Sequence, residues 1–467
     1  MSNETTLSGI EDAKPARGAA SESLALMIAG FTAEPQRAGE VAFLPKDRAL
    51  LLGRGDAGEG RVSFVRQRPG RNELAPPLGG AGLSRDQVRL TARGDRIDVE
   101  LVGRAPLTHL DAEVERCTLR AGDAIILRGQ LTLMCVSRPK TLPALQHFPL
   151  EAVGAFGEAD RFGLLGESPA IWQLRDRLAF AAQSNGHLLC LGESGTGKEL
   201  VANAVHQLSS RSGKPFVARN AATFPKGLID AELFGHAKNY PNAGMSERPG
   251  LIGEADGGTL FLDELAELPA ELQSHLLRVL DEGGEYQRLG DSATRRSRFV
   301  LVGATNRDPS ALKHDLLARF VVQLRLPALR DHLDDLPHLA GHLMRRARAR
   351  SPELVDRFFA DVDGVTHARI HPRLLCALLD HGFDGNVREL DALLWQAMSE
   401  STGNSVLGSE ELLRRLRSSA EPSAELSASQ VKEELARQDG NITATARALR
   451  LPSRFALYRL MKKLAVE

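Results

Sequence analysis

Apolar residues recur with two different periods along this chain, and the change of period divides it. From Ser23 to about Arg138 the pattern alternates with period two: Leu24, Leu26 and Ile28, then Val88 and Leu90, then Ile97, Val99 and Leu101, then Leu131, Leu133 and Cys135. A period of two belongs to strands with one buried face. Turn signals at Arg93-Gly94-Asp95 and Arg128-Gly129-Gln130 fall between the runs, so an all-β sandwich or barrel is predicted over 23–138. From Phe162 to Gly403, short apolar runs such as His187–Leu191 and Arg298–Gly303 alternate with amphipathic helical stretches, the mark of an α/β domain on a parallel sheet. Near the end, Leu457, Leu460, Met461 and Leu464 fall at i, i+3, i+4 and i+7. That spacing predicts a helix with one inward face.

The expected organisation is a flexible tail over 1–22, the β-domain over 23–138, a linker over 139–161, the α/β domain over 162–403, a second linker over 404–425 and a helical domain over 426–467. The Ser-, Ala- and Glu-rich stretch Ser418–Ser429 marks the second linker. A length of 467 residues requires several cores. With 25% charged and 42% hydrophobic residues the chain is ordinary globular material, and no stretch has the apolar length of a membrane span. The polar, acidic start lacks the pattern of a signal peptide, so a cytoplasmic location is expected. Cys117, Cys135, Cys190 and Cys376 are far apart in apolar segments and are expected as buried, inert thiols. A net charge of −1 excludes a generally basic coat but not a local basic face.

The strand-like run His187–Leu191 enters Gly192-Glu193-Ser194-Gly195-Thr196-Gly197-Lys198-Glu199, and Leu200, Val201, Ala204, Val205 and Leu208 then mark one helix face. Strand, glycine loop and helix in that order suit a nucleotide phosphate. Backbone N–H groups converge on it, the helix N-terminus adds positive partial charge, and Lys198 reaches the β and γ phosphates. A second run, Gly257-Gly-Thr-Leu-Phe-Leu-Asp263-Glu264, ends in two carboxylates. Asp263 can hold a hydrated magnesium ion, and Glu264 can orient and polarise the attacking water. ATP and Mg2+ are thus the expected cofactors.

These residues, with FGLLGESPAIWQLRD, PFVARNAA, AELFGH, GATNRD, LPALRDHLDDLPHLA and GNVREL, resemble the AAA+ ATPase domain of sigma-54-dependent activators, also called bacterial enhancer-binding proteins. The resemblance covers about half the chain. It implies that Asn220 restrains Glu264 until nucleotide and target are engaged. It also implies that Thr305 and Asn306 sense the γ-phosphate, and that Arg388, in a helical lid, contacts nucleotide within the subunit. Arg319 matches one of two arginines that reach into a neighbour's site; the other position is Lys313, which keeps charge but loses the planar fork. A ring, most readily a hexamer, is implied. In the family the segment after ELFGH carries GAFTGA, whose Phe and Thr contact sigma-54; here Pro241 and Asn242 stand in their places. Proline fixes φ and removes a donor, so weak or no activation of sigma-54 RNA polymerase by this chain alone is expected.

From Val431 to Glu467 eight Lys or Arg stand against four Asp or Glu, a net of +4 that suits DNA phosphates. Gly440-Asn441, Ala446-Arg447, Leu449 and Leu457-Tyr458-Arg459 resemble the Fis-type helix-turn-helix that ends this family. A helix over 442–449 would brace a second, about 453–463, in the major groove, with Arg454, Tyr458, Arg459, Lys462 and Lys463 on DNA. Arg450 replaces the family's inter-helix glycine, and the turn is one residue longer. In the β-domain, Leu51-Leu-Gly-Arg-Gly55, Leu83-Ser-Arg85 and Leu119-Arg-Ala-Gly-Asp-Ala-Ile-Ile-Leu127 resemble the forkhead-associated domain, a reader of phosphothreonine. Arg54, Ser84 and Arg85 would be the phosphate ligands. Gln87 replaces the family histidine, so an interaction module that no longer reads phosphate stays open. Rival functions are a sigma-54-independent regulator using nucleotide for assembly, and an AAA+ machine acting on another protein.

Overall fold

The structure is a computed structural model that describes residues 22–55, 58–225, 227–281, 283–362, 364–418, 427–438, 440, 442–449, 451, 457, 460, 461, 464 and 466. The N-terminal region is sheet-rich. An eight-stranded sheet, with Glu22–Phe31 and Leu131–Pro139 antiparallel at its centre, faces a four-stranded sheet that includes Ala49–Leu52, Val88–Arg93 and Arg96–Leu101. Leu26, Ile28, Leu90, Ile97, Val99, Leu131, Leu133 and Cys135 meet in one core between the sheets. Those are the positions whose alternation predicted strands.

The α/β domain is built on a five-stranded parallel sheet, ordered Phe216–Asn220, Thr259–Asp263, Val300–Thr305, His187–Leu191, Phe320–Arg325. Helices Pro169–Gln183 and Lys198–Leu208 cover one face with Ile171, Leu178, Val201 and Val205. Ala270–Leu280 and shorter helices cover the other with Leu251, Leu272 and Leu276. With both faces buried, the strands read as continuous apolar runs. Ser168 starts the first helix by accepting a hydrogen bond from Ile171 N–H at 3.2 Å, worth about 1 kcal/mol.

A helical lid follows: Leu336–Arg350, Pro372–Leu379, Asn386–Glu400 and Glu410–Ser418. The last of these corrects the expected linker over 404–425. Leu412, Leu413 and Leu416 are buried in the lid core, as is Val406, so apolar burial makes 404–418 part of the lid. A second correction concerns the strand Glu22–Phe31. Alternation predicts one buried face, yet Ala25, Met27 and Ala29 on the other face are buried too, in one cluster with Leu336, Leu339, Leu374 and Leu375 of the lid. The connection over 139–161 is also held down, for the Asp176 carboxylate accepts hydrogen bonds from the N–H groups of Gln146, His147 and Phe148.

After the lid come helices Ala428–Arg437, opened by a Ser427/Gln430 capping box, and Ile442–Ala448. Val431, Ala446, Leu451, Leu457, Leu460 and Met461 share a small apolar cluster against which Leu464 packs partly buried, so all four residues of the expected inward face meet there. Arg454, Tyr458, Arg459, Lys462 and Lys463 lie outside the described residues. Among the described residues no helix is long and apolar enough to cross a membrane.

Candidate ATP site

The loop Gly192–Gly197 leaves the strand His187–Leu191 and hands over to the helix Lys198–Leu208. Gly195 and Gly197 have φ of +79° and +92°, a left-handed backbone that side chains resist. A Cβ on Gly195 would lie 2.5 Å from the Gly385 carbonyl oxygen, so the lid seats directly on the loop. Lys198 is buried, its ammonium donating to the carbonyls of Gly192 and Glu193, each at 3.1 Å. Thr196 Oγ1 donates to Glu193 O at 2.8 Å. Glu199 is exposed in the first helical turn, where an acid is favoured.

Beside the expected Arg388, the lid grips this loop through polar groups that sequence reasoning missed. Arg330 donates from both terminal guanidinium nitrogens, Nη1 and Nη2, to the Glu193 carboxylate. That carboxylate raises the Arg330 pKa. Asn386, fully buried with φ of +54°, accepts from Leu329 N–H at 2.8 Å and donates to Glu193 Oε2 at 3.1 Å and Ser194 O at 3.0 Å. Two residues on, Arg388 donates to Ser194 Oγ at 3.0 Å. The motif GNVREL could have signalled this, but an Asn serving three segments is visible only in three dimensions.

Asp263 ends its strand, register-paired with Asn220 on the neighbouring strand. Glu264 follows with φ of +51°; its N–H donates to Asp263 Oδ1 at 3.0 Å, and its own carboxylate accepts from Asn306 N–H at 3.4 Å. Asn220 therefore sits beside the acid pair, but its side-chain oxygen accepts from Ala222 N–H at 2.9 Å. In this structure the hydrogen bond to the Glu264 carboxylate comes from Asn306 N–H, not from Asn220. Thr305 is buried, its carbonyl accepting from Gly192 N–H at 3.2 Å and its hydroxyl from Arg307 N–H at 3.1 Å. It thus links the acid strand's neighbour to the phosphate loop.

Arg319 and Lys313 stand apart from this cluster, on exposed surface. Arg319 pairs with Asp281 at 2.6 Å, both half-exposed, and the Lys313 ammonium donates to Ser274 Oγ. Exposed pairs of this kind are worth at most about 1 kcal/mol and break readily for a stronger partner. The cysteines play no part: burial pushes the thiols of Cys117 and Cys190 up to about 12 and that of Cys376 upward as well.

In the β-domain, Arg54, Ser84 and Arg85 come to one edge. A Cβ on Gly53 would lie 2.1 Å from Arg85 O, so only glycine lets the two loops cross, and Arg54 N–H donates to Ser84 O at 3.0 Å. Arg54 and Arg85 are exposed. The Ser84 hydroxyl accepts from Arg104 N–H at 3.4 Å. Gln87 is buried, accepting from Ser84 N–H at 3.1 Å and donating to Ala105 O at 2.7 Å, so it ties the serine loop to its neighbour. Arg61, not anticipated, bonds Asp86 and the carbonyls of Arg54 and Arg85.

The loop Asn239–Gly244 is closed on itself. Asn239 N–H donates to Met245 O, and Gly244 N–H to Asn239 Oδ1, each at 2.9 Å. The Tyr240 side chain lies where a Cβ on Gly290 would be 2.4 Å away.

A model of the sigma-54 interaction domain matches residues 164–326. The transcriptional regulatory protein ZraR of Escherichia coli K12 is 34% identical over 320 residues, 65% of this chain and 69% of that protein. The anaerobic nitric oxide reductase transcription regulator NorR of Aeromonas salmonicida is 39% identical over 244 residues, 51% of this chain and 45% of that protein. Among solved structures, NtrX of Brucella abortus in complex with ATP is 29% identical, with a TM-score of 0.48 over 65% of this chain and 70% of its own.

Proposed function

The chain belongs to the sigma-54-dependent transcription regulators, whose shared domain is an AAA+ ATPase, and from that premise we propose how its residues turn ATP over and what the turnover serves. The observation that carries the proposal is the single polar cluster in which the lid, through Arg388 and Asn386, meets the loop that bears Lys198. Lys198 neutralises the β and γ phosphates, while Glu264 orients and polarises the attacking water. Thr305 and Asn306 report the γ-phosphate to Glu264, since Asn306 N–H already holds that carboxylate. Asn220 takes over the restraint of Glu264 when its bond to Ala222 is exchanged. Asp263 would hold Mg2+ through water. It is a hard oxygen donor at a strand end, and among the described residues no cluster of three metal-binding side chains competes with it. The ion would spread the charge of the phosphates.

Arg319 and Lys313 act on the site of a neighbouring subunit in a ring, most readily a hexamer, as expected of exposed cations whose present partners are weak. The helices after residue 426 form the Fis-type helix-turn-helix, holding DNA through Arg454, Tyr458, Arg459, Lys462 and Lys463. The N-terminal region is a forkhead-associated-like sandwich whose Arg54, Ser84 and Arg85 bind a phosphothreonine partner. The protein works in the cytoplasm.

A second reading is favoured by the closed loop Asn239–Gly244. With Pro241 and Asn242 where the family has Phe and Thr, it offers sigma-54 neither the family aromatic nor the hydroxyl. The chain then regulates transcription as a repressor or co-regulator, or beside an intact paralogue. An open-complex assay on a sigma-54 promoter separates the two. Efficient ATP-dependent melting by the unmodified protein supports direct activation, whereas melting only by the Pro241→Phe, Asn242→Thr double variant supports the second reading.

A further inference from the structure

The second buried face of the N-terminal sheet is the least expected feature of the fold. Ala25, Met27, Ala29, Val41, Met134 and Val136 share one apolar cluster with the lid. Two glycines show how close the contact is. A Cβ on Gly30 would lie 2.8 Å from Leu375 Cδ2, and one on Gly39 would lie 2.2 Å from His338 Nε2. A domain on a loose tether has no need of glycine where another domain's helices touch its backbone.

Two arginines of the β-domain, Arg138 buried and Arg68 partly buried, cross the same boundary. Arg138, 2% exposed, donates from Nε at 2.9 Å and Nη2 at 2.7 Å to Asp334 Oδ2, and from Nη2 to Glu167 O at 3.3 Å. Arg68 donates to the buried carboxylate of Glu167 at 2.8 Å. One domain thus holds both the start of the ATPase core, at Glu167, and the start of the lid, at Asp334. The neighbouring Asp335 reinforces the joint by accepting from the N–H groups of Glu167 at 2.6 Å and Ser168 at 2.9 Å.

The segment so fixed is the one that grips the phosphate loop. Residues 329–335 are two consecutive 3-10 turns, Leu329–Asp331 and Leu333–Asp335. Arg330 of the first clamps Glu193, and Leu329 N–H seats Asn386, which holds Glu193 and Ser194. Asp334 lies only four residues from Arg330, in the next of these tight turns, too short a stretch to absorb a shift at one end without moving the other.

We propose that Arg138 is a positioning residue of the ATP site. Acting from another domain, it fixes residues 329–335 and through them the lid's grip on Glu193, so that the β-domain is a brace across core and lid. The proposal rests on the ATPase reading. Because coupling is reciprocal, whatever shifts the β-domain against Asp334 changes nucleotide affinity, and nucleotide changes the hold on the β-domain.

The test uses the full-length protein and ADP as the probe, titrated by calorimetry, with KM and kcat for ATP alongside. Arg138→Ala and Asp334→Asn should each raise the ADP Kd by at least about fivefold and the ATP KM in parallel. The double variant should be no worse than the weaker single one, as expected of partners in one interaction. Arg138→Lys, keeping the charge, should fall between. Leu90→Ala, in the core between the two sheets and away from the lid, should lower the melting temperature without moving Kd. Parent-like ADP affinity in both single variants, or strictly additive losses in the double one, would overturn the proposal. If Arg138→Ala does not fold, Asp334→Asn and Arg138→Lys decide it in the same way. Failure of the parent to bind ADP would instead strike the ATPase reading.

Discussion

Replacing Asn386 by glycine separates what its side chain does from what its backbone requires. The φ of +54° is acceptable to glycine, so the turn into the helix Asn386–Glu400 survives while three hydrogen bonds are lost. Those to Leu329 N–H and Ser194 O are neutral, at about 1 kcal/mol each, and the one to the Glu193 carboxylate is charge-assisted, at about 1.5–3 kcal/mol. The gross loss is about 4 kcal/mol, and water entering the vacated polar space recovers part of it. Only about 1.4 kcal/mol of the remainder needs to fall on nucleotide binding to weaken ADP tenfold. Asn386→Ala loses the same bonds and adds about 1–2 kcal/mol for a positive φ with a Cβ. It should therefore be the less stable of the two while matching the glycine variant in affinity. Calorimetric titration with ADP, paired with thermal unfolding, reads both quantities. An ADP Kd for Asn386→Gly within about twofold of the parent would refute the claim that these bonds dock the lid on the loop.

Two further outcomes are expected. Arg54→Ala and Ser84→Ala should each weaken binding of a phosphothreonine peptide to the full chain; equal affinity for phosphorylated and plain peptide in the parent would retire that site. The buried pair His332–Asp335, 3.0 Å apart, sets a pH profile. Burial, the largest single influence, would depress His332 and raise Asp335, but it is outweighed by the bond between them together with neighbouring groups: the charges of Asp334 and Asp331 help hold the imidazole above its usual value, and Ser168 and Arg138 help hold the carboxyl at about 2. The histidine's share of stability is thus complete below about pH 6.5 and fades as pH rises through its raised pKa, while the aspartate's fades as pH falls from about 3.8 toward 2. Melting temperature should decline above neutrality in the parent and do so less in His332→Gln; parallel profiles would exclude the pair as the cause.

Much of this was legible in the sequence, for reasons that can be named. The inner face of the β-domain declared itself because Leu26, Ile28, Leu90 and Ile97 alternate with residues facing elsewhere. The phosphate loop did so because its chemistry is local, needing a strand, glycines and a lysine in fixed order. What escaped was set by partners far along the chain. Alternation says that one face of Glu22–Phe31 is buried but not that a lid some 300 residues later covers the other. Ala25, Met27 and Ala29 are apolar there, a signal that period-two reading discards. The helix Glu410–Ser418 was hidden because its short amphipathic run adjoins a Ser- and Ala-rich stretch. Glu193, Arg330 and Asn386 are single polar residues in separate motifs, and nothing in their spacing announces that they meet.

In the reading proposed above, this chain hydrolyses ATP with Glu264 as the residue that activates water. ATP turnover of the parent and of Glu264→Ala, measured with magnesium over a range of protein concentrations, is the decisive measurement. Glu264→Ala should bind ATP as the parent does but turn it over at least about a hundredfold more slowly. Equal turnover by the two proteins would contradict it.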